Sequence, residues 1–154
     1  MPIRLDHLDR AIVNALQDNA RLSNADLAEQ VNLSASACHR RTRLLEESGL
    51  VSGYAMLLDP KAAGLPGTAF VSVQLESQGR SNLEQFERAI ARVPEVLECY
   101  LLAGQFDYII KITYEDAGHL ERLHAETLTQ LPGVVRVHST LTLRTVKRTT
   151  KLPI

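Results

Sequence analysis

The sequence has 154 residues, of which 45% are hydrophobic, and its 17 Lys and Arg nearly balance 18 Asp and Glu to give a formal net charge of −1. This ordinary globular composition leaves room for one domain or two small ones. The start of the chain lacks the apolar run of a signal peptide, and no segment is long and apolar enough to cross a membrane. We therefore expect a cytoplasmic protein with no membrane partner.

The cysteines and histidines give no sign of a disulfide framework or a metal site. Cys38 and Cys99 fall in different predicted domains, which favours a reduced cytoplasmic setting. His119 and His124 are five positions apart, a spacing that does not align two ligands on one helical face. We expect no bound metal, and we interpret Cys38 as a small apolar core residue.

The first third of the chain carries the signals of three short helices. Apolar side chains at helical spacing predict a first helix over 6–18. A second helix ends before Asn32, which tolerates the left-handed backbone of a tight turn, and Ser34 caps a third helix over 35–48. Gly49 is the glycine that ends such a helix. Two helices joined by so short a turn form a helix-turn-helix, whose second helix enters the DNA major groove. The predicted core is Leu8, Ile12, Leu16, Leu27, Val31, Leu33, Leu44, Leu45 and Leu50.

The third predicted helix has a polar face suited to DNA. Ser36, His39, Arg40 and Arg43 fall at i, i+3, i+4 and i+7, so they share one side of the helix, with Ser34 at its start. No carboxylate occurs between residues 34 and 45. Arginine binds phosphates and can bond guanine O6 and N7 at once. We interpret these five residues as the DNA-binding set, and a solvated charged face on an ordinary helix is the alternative.

The charge balance of the amino-terminal domain argues for an assembly. The first 60 residues hold six arginines and eight acidic residues, so this part of the chain is not basic overall. Nonspecific affinity rises with the number of phosphates neutralised, and one copy would therefore bind DNA weakly. We expect dimers or larger assemblies that present several helix-turn-helix units.

A linker separates the two predicted domains. Residues 51–58 (VSGYAMLL) have a β-forming composition and predict a short strand, which could pair with its copy in another chain. Residues 59–67 (DPKAAGLPG) contain two prolines and two glycines, as linkers do. The predicted division is a helix-turn-helix domain over 1–52, a hinge strand and linker over 53–66, and a second domain over 67–154.

The second half of the chain repeats a strand and helix order. The pattern predicts strands over 68–75, 96–103, 106–113 and 134–143, one helix that begins at Ser81, and another over 117–131. The order β-α-β-β-α-β is that of the ferredoxin-like fold, so we predict an α+β chain with a three-helix winged helix-turn-helix domain in front. Two helices cover only one face of such a sheet, which favours packing against a second sheet. The residues expected opposite the core, or extending it, are Phe70, Ser72, Tyr100, Leu102, Ile110 and Ile112.

Three stretches carry a resemblance to a known family. They are LDHLDRAIVNALQDNAR with the helix-turn-helix after it, ECYLLAGQFDYIIKI, and LPGVVRVHSTLTL. Over about residues 4–148 the chain resembles the leucine-responsive and asparagine-regulator (Lrp/AsnC) family of feast/famine transcription regulators. The resemblance implies a homodimer that assembles into tetramers or octamers and binds double-stranded DNA through the helix-turn-helix. It also implies an amino-acid effector bound by the C-terminal domain, between dimers.

The same resemblance implies which residues meet the effector. In similar proteins the turn between the second and third strands of the C-terminal domain lines the pocket. Gly104 would let backbone N–H groups approach the ligand carboxylate, and Asp107 would meet its ammonium group. The alternatives are a plain hairpin turn for Gly104 and a turn-capping carboxylate for Asp107. A Thr-x-Thr pair of similar proteins corresponds here to Val137 and Ser139, so one hydroxyl is replaced by an apolar side chain. The full predicted set is Ala103, Gly104, Gln105, Phe106, Asp107, Tyr108, Val137 and Ser139.

Two classes of function follow from the sequence. The first is a sequence-specific transcription regulator modulated by an amino acid or a related metabolite, with no cofactor beyond that effector. The alternative is a ferredoxin-like metabolite-binding module or small enzyme with an accessory helical domain. The sequence contains no GxGxxG, P-loop, HExxH or GxSxG motif. We therefore expect a regulator and not an enzyme.

Overall fold

The computed structural model describes residues 3–154, so the first two residues of the predicted domain 1–52 lie outside the described residues. The chain divides into two compact units. The first unit holds the described residues up to Met56 together with Lys147–Ile154, and the second holds Leu57–Val146. The α+β class is confirmed, with a helical unit followed by a unit built on a sheet.

Three helices form the first unit, as predicted. They are α1 (His7–Asp18), α2 (Asn24–Gln30) and α3 (Ala35–Glu47). The Ser34 hydroxyl accepts a hydrogen bond from the N–H of Ala37 and so caps α3. Asn32 has a φ of 54° in the turn before α3, and Gly49 has a φ of 79° just after it. Both predicted left-handed positions are therefore confirmed.

The core of the first unit contains the predicted residues except Leu8 and Leu44. Cys38 is fully buried, which confirms it as a core residue. Leu44 was expected in the core, but 53% of it is exposed. Consecutive helical residues are about 100° apart, so once Cys38 and Leu45 face inward, Leu44 falls outside the buried stripe. The buried set is Ile12, Ala15, Leu27, Ala28, Val31, Cys38 and Leu45.

The C-terminal tail is fastened to the end of α1. The side-chain amide of Gln17 accepts a hydrogen bond from the N–H of Leu152 at 2.7 Å and donates one to the carbonyl of Leu152 at 3.1 Å. The Lys151 ammonium lies 2.6 Å from both carboxylate oxygens of Asp18. Through these contacts the tail Lys147–Ile154 packs with the first unit. The sequence pattern instead predicts it as part of the second domain, 67–154.

The predicted strand over 51–58 does not form. These residues have no regular secondary structure, and Met56 is 83% exposed while Tyr54, Leu57 and Leu58 are also exposed. A strand needs a neighbour to pair its N–H and C=O groups, and β-forming composition does not supply one within a single chain. The expectation of a strand is therefore wrong for the protomer.

The second unit has the predicted β-α-β-β-α-β order. The elements are β1 (Gly67–Leu75), α4 (Arg80–Ile90), β2 (Val96–Leu101), β3 (Tyr108–Tyr114), α5 (Ala117–Arg122) and β4 (Val134–Leu141). The four strands form one antiparallel sheet with the order β2-β3-β1-β4, which is the ferredoxin-like arrangement.

Several predicted boundaries in the second unit are corrected. The N-cap of α4 is Gly79 and not Ser81, whose hydroxyl accepts a hydrogen bond from the Gln85 side chain instead. The second strand ends at Leu101, so residues 102–107 form a loop and not a two-residue turn. The last strand ends at Leu141, two residues before the predicted end.

The helix predicted over 117–131 is interrupted. After α5 the chain forms a π-helical turn over Leu123–Thr127 and a 3₁₀ turn over Leu128–Gln130. A π turn brings residues five apart onto one face. It therefore places Leu123 and Leu128 together in the core, where both are buried. Regular α-helical spacing would have turned one of them away.

The two faces of the sheet differ in burial. Val71 pairs with Ile110 of β3 and with Ser139 of β4, so these three side chains lie on the helix-covered face. Ile110 and Ile112 are fully buried there, which places them in the core. Phe70 and Tyr100 lie on the opposite face and are exposed.

Candidate DNA interface and effector site

The polar face of α3 is exposed, as the DNA-binding prediction requires. Ser34, Ser36, His39, Arg40 and Arg43 are all exposed. Successive helical residues are about 100° apart, which puts the last four on the side of α3 opposite its buried residues. The Ser34 oxygen caps the helix and lies 3.3 Å from that of Ser36. The structure therefore brings together all five predicted DNA-binding residues on one surface.

Two hydrogen bonds hold α3 at a defined angle to α2. The N–H of Leu33 donates to the carbonyl of Ala28 at 2.9 Å, and the Asn24 side-chain amide donates to the carbonyl of Ala35 at 2.8 Å. The turn between the helices is therefore bonded on both sides. A helix that enters a DNA groove needs such a fixed angle, because its base contacts depend on its register in the groove.

One DNA-binding candidate already has a charged neighbour. The Arg43 Nε lies 2.6 Å from the Glu47 carboxylate, and both side chains are exposed. Exposed ion pairs of this kind stabilise a protein by roughly 0–1 kcal/mol. A phosphate can therefore replace Glu47 as the partner of Arg43 at low energetic cost.

Arg41 is the arginine of α3 that the sequence did not single out. Its Nη1 lies 2.8 Å from an Asp6 oxygen and 2.7 Å from an Asp9 oxygen, and 25% of its side chain is exposed. No short sequence pattern predicts this contact, because Asp6 and Asp9 are more than thirty positions away from Arg41. Arg41 thus does not belong to the exposed face that carries Arg40 and Arg43.

The loop between β2 and β3 contains the predicted effector turn. Ala103, Gly104 and Gln105 are exposed, and the N–H of Leu102 donates to the carbonyl of Asp107 at 2.8 Å across the base of the loop. A Cβ atom at Gly104 would meet nothing within 4 Å, and the φ of Gly104 is not in the left-handed region. The fold of the protomer therefore does not itself require glycine at this position.

Asp107 is tied into the second unit by hydrogen bonds of both its side chain and its backbone. Its side chain accepts from the N–H of Leu75 at 2.7 Å and from the Gln78 amide at 2.6 Å, and its own N–H donates to the carbonyl of Val73 at 2.9 Å. Only 4% of Asp107 is exposed. The geometry is that of the turn-capping alternative, and contact with a ligand ammonium group stays a prediction.

Phe106 and Tyr108 of the predicted turn are less exposed than residues 103–105. The Tyr108 ring packs 4.5 Å from that of Phe86, and its hydroxyl donates to Glu87 at 2.8 Å. Burial raises the pKa of Tyr108 first of all, and the bond to Glu87 raises it further. Phe106 stacks with His138, with ring centroids 6.4 Å apart. Tyr108 is therefore a core residue at the end of the loop.

Val137 and Ser139 lie on the helix-covered face of β4. Val73 pairs with Val137 on one side and with Tyr108 on the other, so Val137 and Tyr108 are two strands, or about 10 Å, apart. Val137 packs against the hydrophobic core. The Ser139 Oγ is buried without a hydrogen-bond partner among the described residues. A buried hydroxyl without a partner is uncommon in folded proteins, and contact of Ser139 with an effector stays a prediction.

The described residues, 3–154, hold neither a membrane-spanning helix nor a metal-binding cluster. In that range no helix is long and apolar enough to cross a membrane. The same residues contain no group of three or more His, Cys, Asp or Glu side chains placed to hold a metal ion.

Family models match both units of the chain. A model of the winged helix-turn-helix DNA-binding domain matches residues 5–52. A model of the Lrp/AsnC ligand binding domain matches residues 68–152. The two matches fall on the helical unit and on the unit that carries the sheet, with the linker between them.

Several regulators match nearly the whole chain. The leucine-responsive regulatory protein of Escherichia coli K12 is 37% identical over 150 residues, which are 97% of this chain and 92% of that protein. The crystal structure of a Neisseria meningitidis transcriptional regulator in complex with L-Met superposes with a TM-score of 0.93 at 37% identity, over 97% of both chains. An AsnC family transcriptional regulator from Agrobacterium tumefaciens superposes with a TM-score of 0.92 at 32% identity, over 97% of both chains.

Proposed function

This chain belongs to the Lrp/AsnC family of transcription regulators, and on that basis we propose which of its residues read DNA and which bind an effector. The DNA-reading surface is the exposed face of α3, and the effector lies against the loop 102–107. The protein acts as a homodimer that assembles into tetramers or octamers in the cytoplasm. It acts through binding alone, with no cofactor beyond the effector.

The exposure of the α3 face is the observation that carries the DNA assignment. Arg40, Arg43 and His39 project from a helix whose opposite side is packed and whose preceding turn is bonded. Arginines on such a helix can contact both phosphates and guanine edges. Ser36 lies in the first turn of α3, where short side chains reach the groove floor or the backbone.

Gly104 is the residue that supports the effector assignment. Gly104 is exposed and a Cβ there would have free space, so the fold of the loop does not explain the glycine. Close approach of a ligand to the backbone does explain it. The regulator from Neisseria meningitidis was crystallised with L-Met, which favours an amino acid as the ligand class. Ala103 and Gln105 flank this position, and Ser139 of β4 is a second predicted polar contact.

Exposed apolar surface supports the assembly. Phe70 and Tyr100 are exposed on the sheet face that no helix covers, and Met56 and Leu57 are exposed in the hinge. A single domain rarely leaves so many large apolar side chains in water unless another surface covers them. If the effector site lies between dimers, the loop 102–107 of one dimer lies beside residues of a neighbouring dimer.

DNA binding is tested with the full chain and the DNA upstream of its own gene. We expect nanomolar affinity for that fragment, weaker binding to a shuffled fragment of equal length, and a steep loss of affinity as salt is raised. Equal affinity for both fragments would contradict sequence-specific reading. A chain that binds small metabolites but no DNA would favour the alternative, a metabolite-binding module.

The effector is found by thermal shift against the twenty amino acids, with L-Met as the first probe. A ligand that binds only the folded state raises the melting temperature. We expect one or a few amino acids to do so and to change the affinity for the upstream fragment. The effector assignment would be overturned if no amino acid shifted the melting temperature and none changed the affinity for DNA.

A further inference from the structure

The three arginines of α3 have two different roles. Arg40 and Arg43 are exposed on the DNA-reading face, whereas Arg41 is part-buried against the start of α1. We propose that Arg41 is a positioning residue: it fixes the rotation of α3 for groove reading by clamping that helix to Asp6 and Asp9, and does not itself contact DNA. This inference rests on the proposed DNA-reading role of α3.

The Arg41 contact completes a closed hydrogen-bond network. Asp6 is the N-cap of α1, and one of its oxygens accepts from the N–H of Asp9 at 2.8 Å. In return, one Asp9 oxygen accepts from the N–H of Asp6 at 3.2 Å. Arg41 binds the remaining oxygen of each carboxylate, at 2.8 Å and 2.7 Å. Each of the four oxygens therefore accepts one hydrogen bond, two of them from Arg41 Nη1, and a shift of α3 would break both of these bonds at once.

The position of Arg41 along α3 suits this role. It lies three residues after Cys38 and four before Leu45, the two residues by which α3 is buried. At 100° per residue these three form one stripe, and Arg40 and Arg43 lie on the other side of the helix. Two apolar contacts alone permit small rotations, whereas a guanidinium held by two carboxylates has directional bonds.

Electrostatics make Arg41 hard to replace with a neutral residue. The backbone N–H of Asp9 and then the Arg41 hydrogen bond hold the pKa of Asp6 below its ordinary value, and the two aspartates raise the pKa of Arg41. Without the guanidinium, two carboxylates would face each other at the start of α1 and repel. We expect α3 to move away from its reading position when Arg41 is removed, although the apolar core persists.

The test separates positioning from direct contact by the salt dependence of DNA binding. Each phosphate contact contributes about 0.9 to the slope of log affinity against log salt. We expect Arg41→Met to weaken binding to the upstream fragment about tenfold, because residues that hold a binding group in place typically contribute that much to affinity. The salt slope should not change. Arg40→Ala should lower the slope by about 1.

Two further variants control for charge and for folding. Arg10→Met removes the same charge from an exposed position on α1 and should leave affinity nearly unchanged. Arg41→Lys keeps the charge without the planar fork and should recover part of the lost affinity. All measurements are made well below the melting temperature of each variant, so that unfolding does not contribute.

The possible outcomes decide between the roles. An Arg41→Met slope that falls by about 1 would mean direct phosphate contact and would overturn the inference. Unchanged affinity, or a loss equal to that of Arg10→Met, would overturn it as well. If the parent protein itself bound no fragment, the proposed function would fail and this inference with it, an outcome that is distinct from failure of the Arg41 variants alone.

Discussion

The carboxylate of Asp107 accepts a hydrogen bond from the buried backbone N–H of Leu75, with 2.7 Å between the two heavy atoms. Leu75 is the last residue of β1, where the ladder hydrogen bonds of the strand end. Asp107 therefore joins the start of β3 to the end of β1, across a sequence separation of 32 residues. The same side chain was the predicted partner of the effector ammonium group, so its structural role must be separated from ligand binding.

Substitution of Asp107 tests that structural role. We expect Asp107→Ala to lower the free energy of unfolding by about 1–3 kcal/mol, because the N–H of Leu75 is left buried without a partner. Urea unfolding monitored by circular dichroism measures the change. Gln78→Ala is the matched control, since it removes the other donor and leaves the Leu75 bond in place, and it should cost less. An Asp107→Ala protein with parental stability but no effector response would instead assign Asp107 to the ligand.

Arg40 and Arg43 are expected to contact DNA directly. Arg40→Ala and Arg43→Ala should each reduce the salt slope by about 1, and the double variant should lose binding to the upstream fragment. Both side chains are exposed, so the oligomer and its melting temperature should not change. Gel shift over a salt series and light scattering measure the two properties. Parental DNA affinity in the double variant would show that α3 is not the recognition helix.

Gly104 is expected to matter for the ligand and not for the fold. Because a Cβ there has free space, Gly104→Val should keep the melting temperature of the parent while removing the thermal shift caused by the effector. Gly67→Ala is the opposite control, since its Cβ would collide with the Tyr114 ring and should destabilise the second unit. A Gly104→Val protein that keeps the full ligand shift would remove the glycine from the effector site.

The hydrogen bonds of Asp6 with Asp9 and Arg41 predict that the stability of the first unit falls in acid. The pKa of Asp6 in the folded protein lies below its ordinary value of 3.8. A carboxyl group with a lowered pKa stabilises the fold above the pKa of the unfolded chain and loses this contribution as the pH falls through the folded value. Asp6→Asn should therefore be less stable than the parent at neutral pH, and the difference should shrink below pH 3.8. Melting temperatures at neutral and acid pH compare the two; a deficit that does not depend on pH would contradict this assignment.

Local features of this fold were predictable from short stretches of sequence. The cap at Ser34, the left-handed turn at Asn32 and the order of strands and helices depend on residues a few positions apart. The exposed reading face of α3 followed from the same short-range spacing. Helical and strand periods place side chains on faces without reference to the rest of the chain.

The sequence by itself determined the two-unit α+β architecture and which face of α3 is polar, because hydrophobic spacing and capping chemistry act within one or two turns of chain. Only the tertiary structure decided that Arg41 clamps α1, that Asp107 closes the end of β1, and that the tail at Leu152 returns to Gln17. These contacts join residues 35, 32 and 135 positions apart. A buried polar side chain bonds to whichever partner the fold brings within hydrogen-bonding distance. The spacing of residues along the chain does not predict which partner that is.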